Sequence, residues 1–571
     1  MRRVALVLFL WSQLGVTAWA QDKPLPPPKD FRPETRRATD VLPALTLPEY
    51  VITGTDLLAF TEDRKKFIDE PAAADFTSRV GRGQREQRYM GTAPTRLPLG
   101  LRDLPGNLRV FGARLGYGTF HTPLAHAWFA DHFTRGDIGV EAAYEASRGH
   151  VPRADYKTGE LRVQGGTWLP RDITPLFASS RIEGDVEFGA TRYGLYADKL
   201  QRLDPSMEFT RSGNHLRLGV GLISRRNAVI DHELSMFYAH SALEEHLALR
   251  DTLPLGTYEQ AEQRFGIDGR VRTTWNDFPI EANIGLHVAD MSERAADATR
   301  PYHLALAGRS RYALSEQWRL DGGVTMYLYR GNDDASSFRL YPSLRATWQM
   351  DESYALWLAY EPEVRERTFH ALRNENPFLM LASAIRHTDI PMLFSAGIAL
   401  DDRRATAGRM YVEYISSNSW GSYSPLPDPV RQQWSLRYGA QSRMFALHAD
   451  IQHRFTERTQ AQATLSLRSS HDEELDNAVP YLPSMELRAI VSHKLPFDLE
   501  VQANAHLTGE QEAGSGTIPA WMLVGAEIRW RPWTHAGLFL LFTNALDQRY
   551  QRWKGYHERP FFMMGGVEVG F

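Results

Sequence analysis

The 571-residue sequence predicts an all-β chain, a transmembrane antiparallel β-barrel of about 22 strands behind a short irregular N-terminal periplasmic segment. Three observations predict it. Apolar residues recur at every second position, the alternating stretches are long, and the last residue is an aromatic that ends one of them. Alternation needs an apolar medium on one side only. Length then decides which medium, because a tilted strand crossing a bilayer takes roughly 9–11 residues and a globular strand about five or six.

The first element is MRRVALVLFLWSQLGVTAWA, residues 1–20. Arg2 and Arg3, an apolar run from Val4 to Val16 and the exit Ala18-Trp19-Ala20 have the order of a secretory signal peptide. The run is short for a retained membrane helix, so export is the expectation. Residues 21–46 begin QDKPLPPPKDFRP and read as an extended Pro-rich linker. Residues 47–105 hold one apolar stretch, LPEYVITGTDLLAF, and then a polar remainder without sustained period. That segment is assigned to the periplasm and the barrel to 106–571.

Within 106–571 the alternation repeats. Ile138, Val140, Ala142 and Tyr144 oppose Glu141 and Glu145, and Ile182, Val186 and Phe188 oppose Glu183, Asp185 and Glu187. Phe265, Ile267, Val271 and Trp275 oppose Asp268, Arg270, Arg272 and Thr274. Phe338, Leu340, Leu344 and Trp348 oppose Arg339, Tyr341 and Arg345, and FDLEVQANAHL (497–507) reads the same way. Such segments number about 22 or 23, and an even count is expected of a closed bacterial barrel. Closure is required because an unpaired backbone group in hydrocarbon costs several kcal/mol. Asn276-Asp277 fits a tight hairpin, whereas 367–388 and 470–482 are long connections, so one rim carries short turns and the other long loops. Tyr327, Tyr329, Trp348, Trp521, Trp530 and Trp533 are placed in interface girdles. If the apolar partners meet lipid, Glu141, Glu145, Glu183, Glu187, Arg270, Arg272, Arg339, Arg345, Glu500, Gln502, Asn504 and His506 face the lumen. Both signs of charge line such a bore, and cross-wall pairing is the expected use of most of them.

Composition narrows the chemistry. The chain has no cysteine, which removes disulfides and thiolate metal sites, and a net charge of −4, which gives nucleic acid nothing to grip. No G-x-S-x-G, H-E-x-x-H or phosphate-binding loop is present, so no enzyme activity and no cofactor are expected. His121, His126 and His132 are offset by five and six, which alternates faces of a strand and does not make a metal site. The acidic run HDEELD (471–476) could offer calcium ligands, but a solvated loop is the expectation.

The end of the chain, FTNALDQRYQRWKGYHERPFFMMGGVEVGF, resembles the ending of TonB-dependent receptors: Asn544, Leu546, Asp547, Tyr550, Gly555, Tyr556, Arg559 and Phe571 occupy that family's places. VPYLPSMELRAIVSHKL (479–495) and IPAWMLVGAEIRWRP (518–532) are similar to its late strands. The resemblance implies that Phe561, Met563, Val567, Val569 and Phe571 form the terminal signal read by the outer-membrane assembly machinery. It implies that Glu49, Tyr50, Val51, Ile52 and Thr53 resemble the segment gripped by the TonB energy-coupling protein; a strand or loop docked at the periplasmic rim is the rival reading. The chain departs from the family in offering only Gln21 to Pro105, 85 residues, where a full plug stands. LGYGTFHTPLAHAWFADHF (115–133) and NENPFLMLASAIRHTD (374–389) resemble a plug-less offshoot. The expectation is therefore an exported barrel in the outer membrane of a Gram-negative bacterium, in contact with lipid, for uptake or passage of a solute. The alternative is a structural or scaffold barrel of a secretion, assembly or surface complex, holding another outer-membrane or periplasmic protein.

Overall fold

The computed structural model describes residues 110–169, 180–198, 207–224, 230–249, 254–275, 278–293, 296–332, 336–381, 384–402, 405–426, 432–439 and 441–571. The signal-like stretch, the Glu49–Thr53 segment and the Asn276-Asp277 turn lie outside the described residues.

Twenty-two antiparallel strands close on themselves. They are Val110–Gly118 (β1), Thr122–Phe133 (β2), Gly136–Ser147 (β3), Tyr156–Trp168 (β4), Arg181–Gly194 (β5), Met207–Ile223 (β6) and Asp231–Leu249 (β7). Pro254–Trp275 (β8), Phe278–Glu293 (β9), Tyr302–Ala313 (β10), Trp318–Arg330 (β11), Ser337–Gln349 (β12), Tyr354–Tyr360 (β13) and Met392–Asp401 (β14) follow. Thr406–Ser417 (β15), Ser442–Thr456 (β16), Thr459–Asp472 (β17), Met485–Leu495 (β18), Leu499–Thr508 (β19), Trp521–Trp533 (β20), Ala536–Thr543 (β21) and Phe562–Gly570 (β22) complete the wall. Ala296–Thr299 prolongs β10 along β9 across a register shift, which is why the sheet divides into 23 pieces but 22 strands.

Along many strands one parity is the more buried and the other the more exposed. In β12, Leu340 is 59% exposed while its neighbour Tyr341 is 9% exposed. Phe188, Phe265, Phe338, Leu344 and Val567 are likewise exposed, and they form the apolar outer surface that suits hydrocarbon. Not every aromatic follows the girdle expectation. Trp348 is half-buried against Trp318, and Trp530 and Trp533 are exposed near the short-turn rim, but Tyr327, Tyr329 and Trp521 are buried. Their parity turns them inward, where Tyr327 and Tyr329 pack with Tyr341 and Val364, and Trp521 with Tyr550.

Closure brings the two ends together. β22 pairs with β1 from Gly112↔Gly570 to Gly118↔Met564. Phe111 N–H donates to the Phe571 carbonyl at 3.0 Å and Phe571 N–H returns the bond at 2.8 Å. The Phe571 ring lies 5.0 Å from His535 and 6.5 Å from Phe111, while Phe561, Met563 and Val567 point outward with it. Gly566 is required at this seam, because a Cβ there would lie 2.1 Å from the Leu115 carbonyl oxygen. The inner wall here is apolar, with Leu124, Phe539, Leu541, Phe562 and Met564 packed together, so the bore is not polar throughout.

Because the strands alternate in direction, their connections divide between the two rims. One rim has turns such as 457–458 and 534–535; the other carries 361–391, 418–441, 473–484, 509–520 and 544–561. The long-loop rim is the extracellular one in barrels of this kind.

Candidate functional site: a strap across the outer mouth

The longest connection, 361–391, does not spread into solvent. It turns into the barrel, and the sequence shows why: PFLMLASAI (377–385) is an apolar run inside a connection, and its side chains need cover. At the base of the strap, Glu363–Arg365 pairs with Thr388–Ile390. Above it runs one helix, Phe369–Glu375 (α1), begun by Thr368, whose hydroxyl accepts from Ala371 N–H at 3.1 Å.

The wall receives the strap through charged groups. Glu262 of β8 accepts from the first helical amides, Phe369 N–H at 3.1 Å and His370 N–H at 3.2 Å, a favourable place for an anion. At the other end Arg373 donates to the Ala242 carbonyl of β7 at 2.9 Å. Arg211 of β6 has no exposed surface; it holds Glu245 at 2.9 and 2.7 Å and donates to the Pro377 carbonyl at 2.6 Å. Tyr193 of β5 donates to the same carbonyl at 2.8 Å. Lower down, Glu366 pairs with Arg264 and sits 2.6 Å from His287. Burial pushes the Glu366 carboxyl up, but the His287 hydrogen bond and the Arg264 charge outweigh it and hold it down at about 2. On the opposite flank Asp389 binds Arg339 at 2.9 Å and Tyr341. A segment rooted between β13 and β14 thus reaches β5, eight strands away, and crosses the mouth.

The neighbouring loops cover it. Phe378 stacks on Tyr556 at 3.6 Å, and the fully buried Trp434 lies 5.2 Å from Trp553 and donates to the Tyr481 hydroxyl at 2.7 Å. These rings, with Leu372, Leu379 and Ile385, form a hydrophobic core at the outer rim. The acidic run 471–476 is mostly solvent-exposed, as expected, and three of its carboxylates bind partners at this rim. Asp472 is buried and accepts from Ser442 at 3.0 Å, Arg443 binds Glu473 at 2.7 Å, and Arg437 binds Glu474 at 2.5 Å.

The residues assigned to the lumen meet partners on the wall or on the strap. Along the wall, His126 reaches Glu141 at 2.9 Å, Arg181 reaches Glu183 at 2.9 Å, and Arg162 reaches Glu187 at 3.4 Å. Arg270 pairs with Glu233, Arg272 with Glu281 at 2.5 Å, and His506 with Glu486 at 3.3 Å. Others meet the strap: Arg339 binds Asp389, and Arg345 binds Glu361 at 3.1 Å. Glu145 accepts from Tyr156, while Glu500, Gln502 and Asn504 stand in register with Arg529, Glu527 and Gly525. His121, His126 and His132 do not converge, and no group of three potential metal ligands occurs among the described residues. The strap anchors Arg211, Glu245, Glu262 and Arg373 were not apparent from sequence; the apolar run 377–385 was the signal that a core had to exist there.

Known proteins share this architecture at low identity. No family model and no curated protein matches the sequence. Among solved structures, the FrpB iron transporter from Neisseria meningitidis (F5-1 variant) has a TM-score of 0.63 at 11% identity, over 82% of this chain and 84% of its own. The copper transporter OprC gives 0.63 at 12% over 82% of this chain and 81% of its own, and the siderophore receptor PiuA from Acinetobacter baumannii gives 0.61 at 12% over 82% of each. These neighbours are TonB-dependent receptors with a closed 22-strand barrel, and their fold is the fold of this chain.

Proposed function

We propose that the chain is an outer-membrane barrel for solute uptake, whose outer mouth the strap closes at rest. The observation that carries this reading is the strap itself. It is held to the wall by side-chain hydrogen bonds, charge pairs and apolar packing with Phe209, Leu243 and Met291 rather than by the sheet ladder, so it is the part of the barrel that can leave without opening the wall. The shared fold of an iron transporter, a copper transporter and a siderophore receptor supports the same reading. Any energy coupling runs, on this reading, through Glu49–Thr53, with the energy-coupling protein as partner; assembly uses the β22 end. Wall pairs such as Arg162–Glu187 brace the strands and leave a hydrated path beneath the strap.

A second reading is favoured by the aromatic core at the outer rim. A mouth sealed by its own rings suits a scaffold that holds a partner and passes nothing. Planar-bilayer recordings separate the two. The uptake reading expects a quiet wild type and ion conductance once 366–387 is replaced by a short linker. A variant that is folded but equally silent refutes it, and stoichiometric partners in mild-detergent purification then support the scaffold.

A further inference from the structure

Where α1 meets the wall, two imidazoles lie face to face. His370 of the strap stacks on His215 of β6, with ring centroids 3.9 Å apart and planes at 21°. Both side chains are half-buried, so water reaches the pair. The outward side of β6 changes at this level from exposed Leu218 and Val220 to exposed Asn214. The stack therefore stands at the outer edge of the apolar band, on the side of the long loops.

The surroundings suit neutral rings. His370 Nε2 accepts from the Asn374 amide at 3.0 Å, and its Nδ1 meets the Ser241 hydroxyl of β7 at 3.3 Å. A proton on that Nε2 turns the acceptor into a donor and forces the Asn374 amide over. His215 Nδ1 is buried without a hydrogen-bond partner among the described residues. In a charged ring that nitrogen is a donor with nothing to receive it. Arg373 of α1 adds a cation beside the stack: it donates to the Ala242 carbonyl at 2.9 Å and lies over Gly213, where a Cβ would come within 3.0 Å of the guanidinium. Arg217 of β6, His240 of β7 and Arg264 of β8 also face the pair, against Glu187 of β5 and Glu262 of β8. The anions are matched already. Glu187 faces Arg162 at 3.4 Å, Glu262 takes the two helix amides, and Glu366 holds Arg264. Burial, then the charges of His215, Arg373 and Arg264, hold the His370 pKa well below the usual imidazole range.

We propose that the His215–His370 stack is an acid-sensitive latch: a proton on its rings lifts α1 and the strap from the wall. This rests on the strap as a separately held element and not on uptake. Docking through the stack is complete above about pH 6.5, where an undocked imidazole is neutral, and is lost as the pH falls below that. The test is amide hydrogen exchange in strap peptides (366–387) of the detergent-purified full chain. Each rate is divided by the intrinsic rate at that pH to give the opening constant. His387→Gln is the parent protein, which removes the acid response of that ring; wild type takes its place if that parent does not assemble. Expected is an opening constant about thirtyfold higher at pH 5 than at pH 7.5, for one ring that excludes the proton when docked and titrates near 6.5 when free. Adding His370→Gln should bring the rise below about threefold. His215→Phe keeps a ring in the stack without a charge; it should cut the rise by about threefold or more, and decides alone if the first variant does not assemble. A rise that survives both substitutions, or is absent from the parent, overturns the latch. If acid leaves the parent closed while Arg211→Ala still opens the strap, only the latch falls; if neither opens it, the strap reading falls as well.

Discussion

Arg211→Ala is the substitution that should open the strap. The side chain is fully buried and makes three contacts, two to Glu245 at 2.9 and 2.7 Å and one to the Pro377 carbonyl at 2.6 Å. Truncation leaves Glu245 accepting from Gln433 at 3.0 Å, and leaves Pro377 with Tyr193. Removing one partner of a buried pair costs about 3–5 kcal/mol. The loss falls on docking of the loops, because the β6–β7 ladder runs unbroken from Met207↔Leu249 to Ile223↔Glu233 without that side chain. At about 1.4 kcal/mol per decade, the open fraction rises by roughly two to three and a half orders of magnitude. Limited trypsin digestion in detergent reads this directly, since Arg365, Arg367, Arg373 and Arg386 all lie in the strap. The double variant Arg211→Met with Glu245→Leu is the control, because exchanging a buried pair for apolar groups is often neutral. Cleavage of Arg211→Ala at the wild-type rate, with the barrel folded, refutes the assignment of the strap as a separately held element.

Three further outcomes are expected. Gly566→Val should weaken barrel closure by about 1–3 kcal/mol or more through overpacking, seen as a lower transition temperature on heat-modifiability gels, because its Cβ meets the Leu115 carbonyl at 2.1 Å. Deleting Phe571 should lower the yield of inserted barrel in membrane fractions, since it removes both backbone bonds to Phe111 and the ring against His535. His387 should make strap docking acid-sensitive: its Nδ1 accepts from Arg367 N–H at 3.2 Å, and burial, then His303, hold its pKa down to about 4. The undocked imidazole titrates near 6.5, so its contribution is complete above about pH 6.5 and falls by about 3 kcal/mol on reaching pH 4. The wild-type minus His387→Gln difference in strap proteolysis against pH isolates this, and a flat difference counts against it.

The wall was legible because membrane strands are a local matter. Phe188 beside Glu187 and Leu340 beside Tyr341 state which face is which, whatever lies across the barrel, and ten or so such residues set the span. Tyr327, Tyr329 and Trp521 misled for the same reason. An aromatic near a strand end has the composition of a girdle, and only its parity and the strap's Val364 or the loop's Tyr550 show it to be core. Arg211, Glu245 and Glu262 were indistinguishable from other alternating charges, since their partners Pro377, Phe369 and His370 lie more than a hundred positions away.

By itself the order of residues determined the barrel, its strand number, its short and long rims and the aromatic last residue, because alternation and hydrocarbon thickness act over a few neighbours at a time. Only the tertiary structure decided that 361–391 folds inward, which wall carboxylate meets its helix, and which rings make a core at the mouth. Those choices depend on what an apolar run finds to bury against. In a ring of twenty-two strands, that surface is brought near by closure and not by sequence.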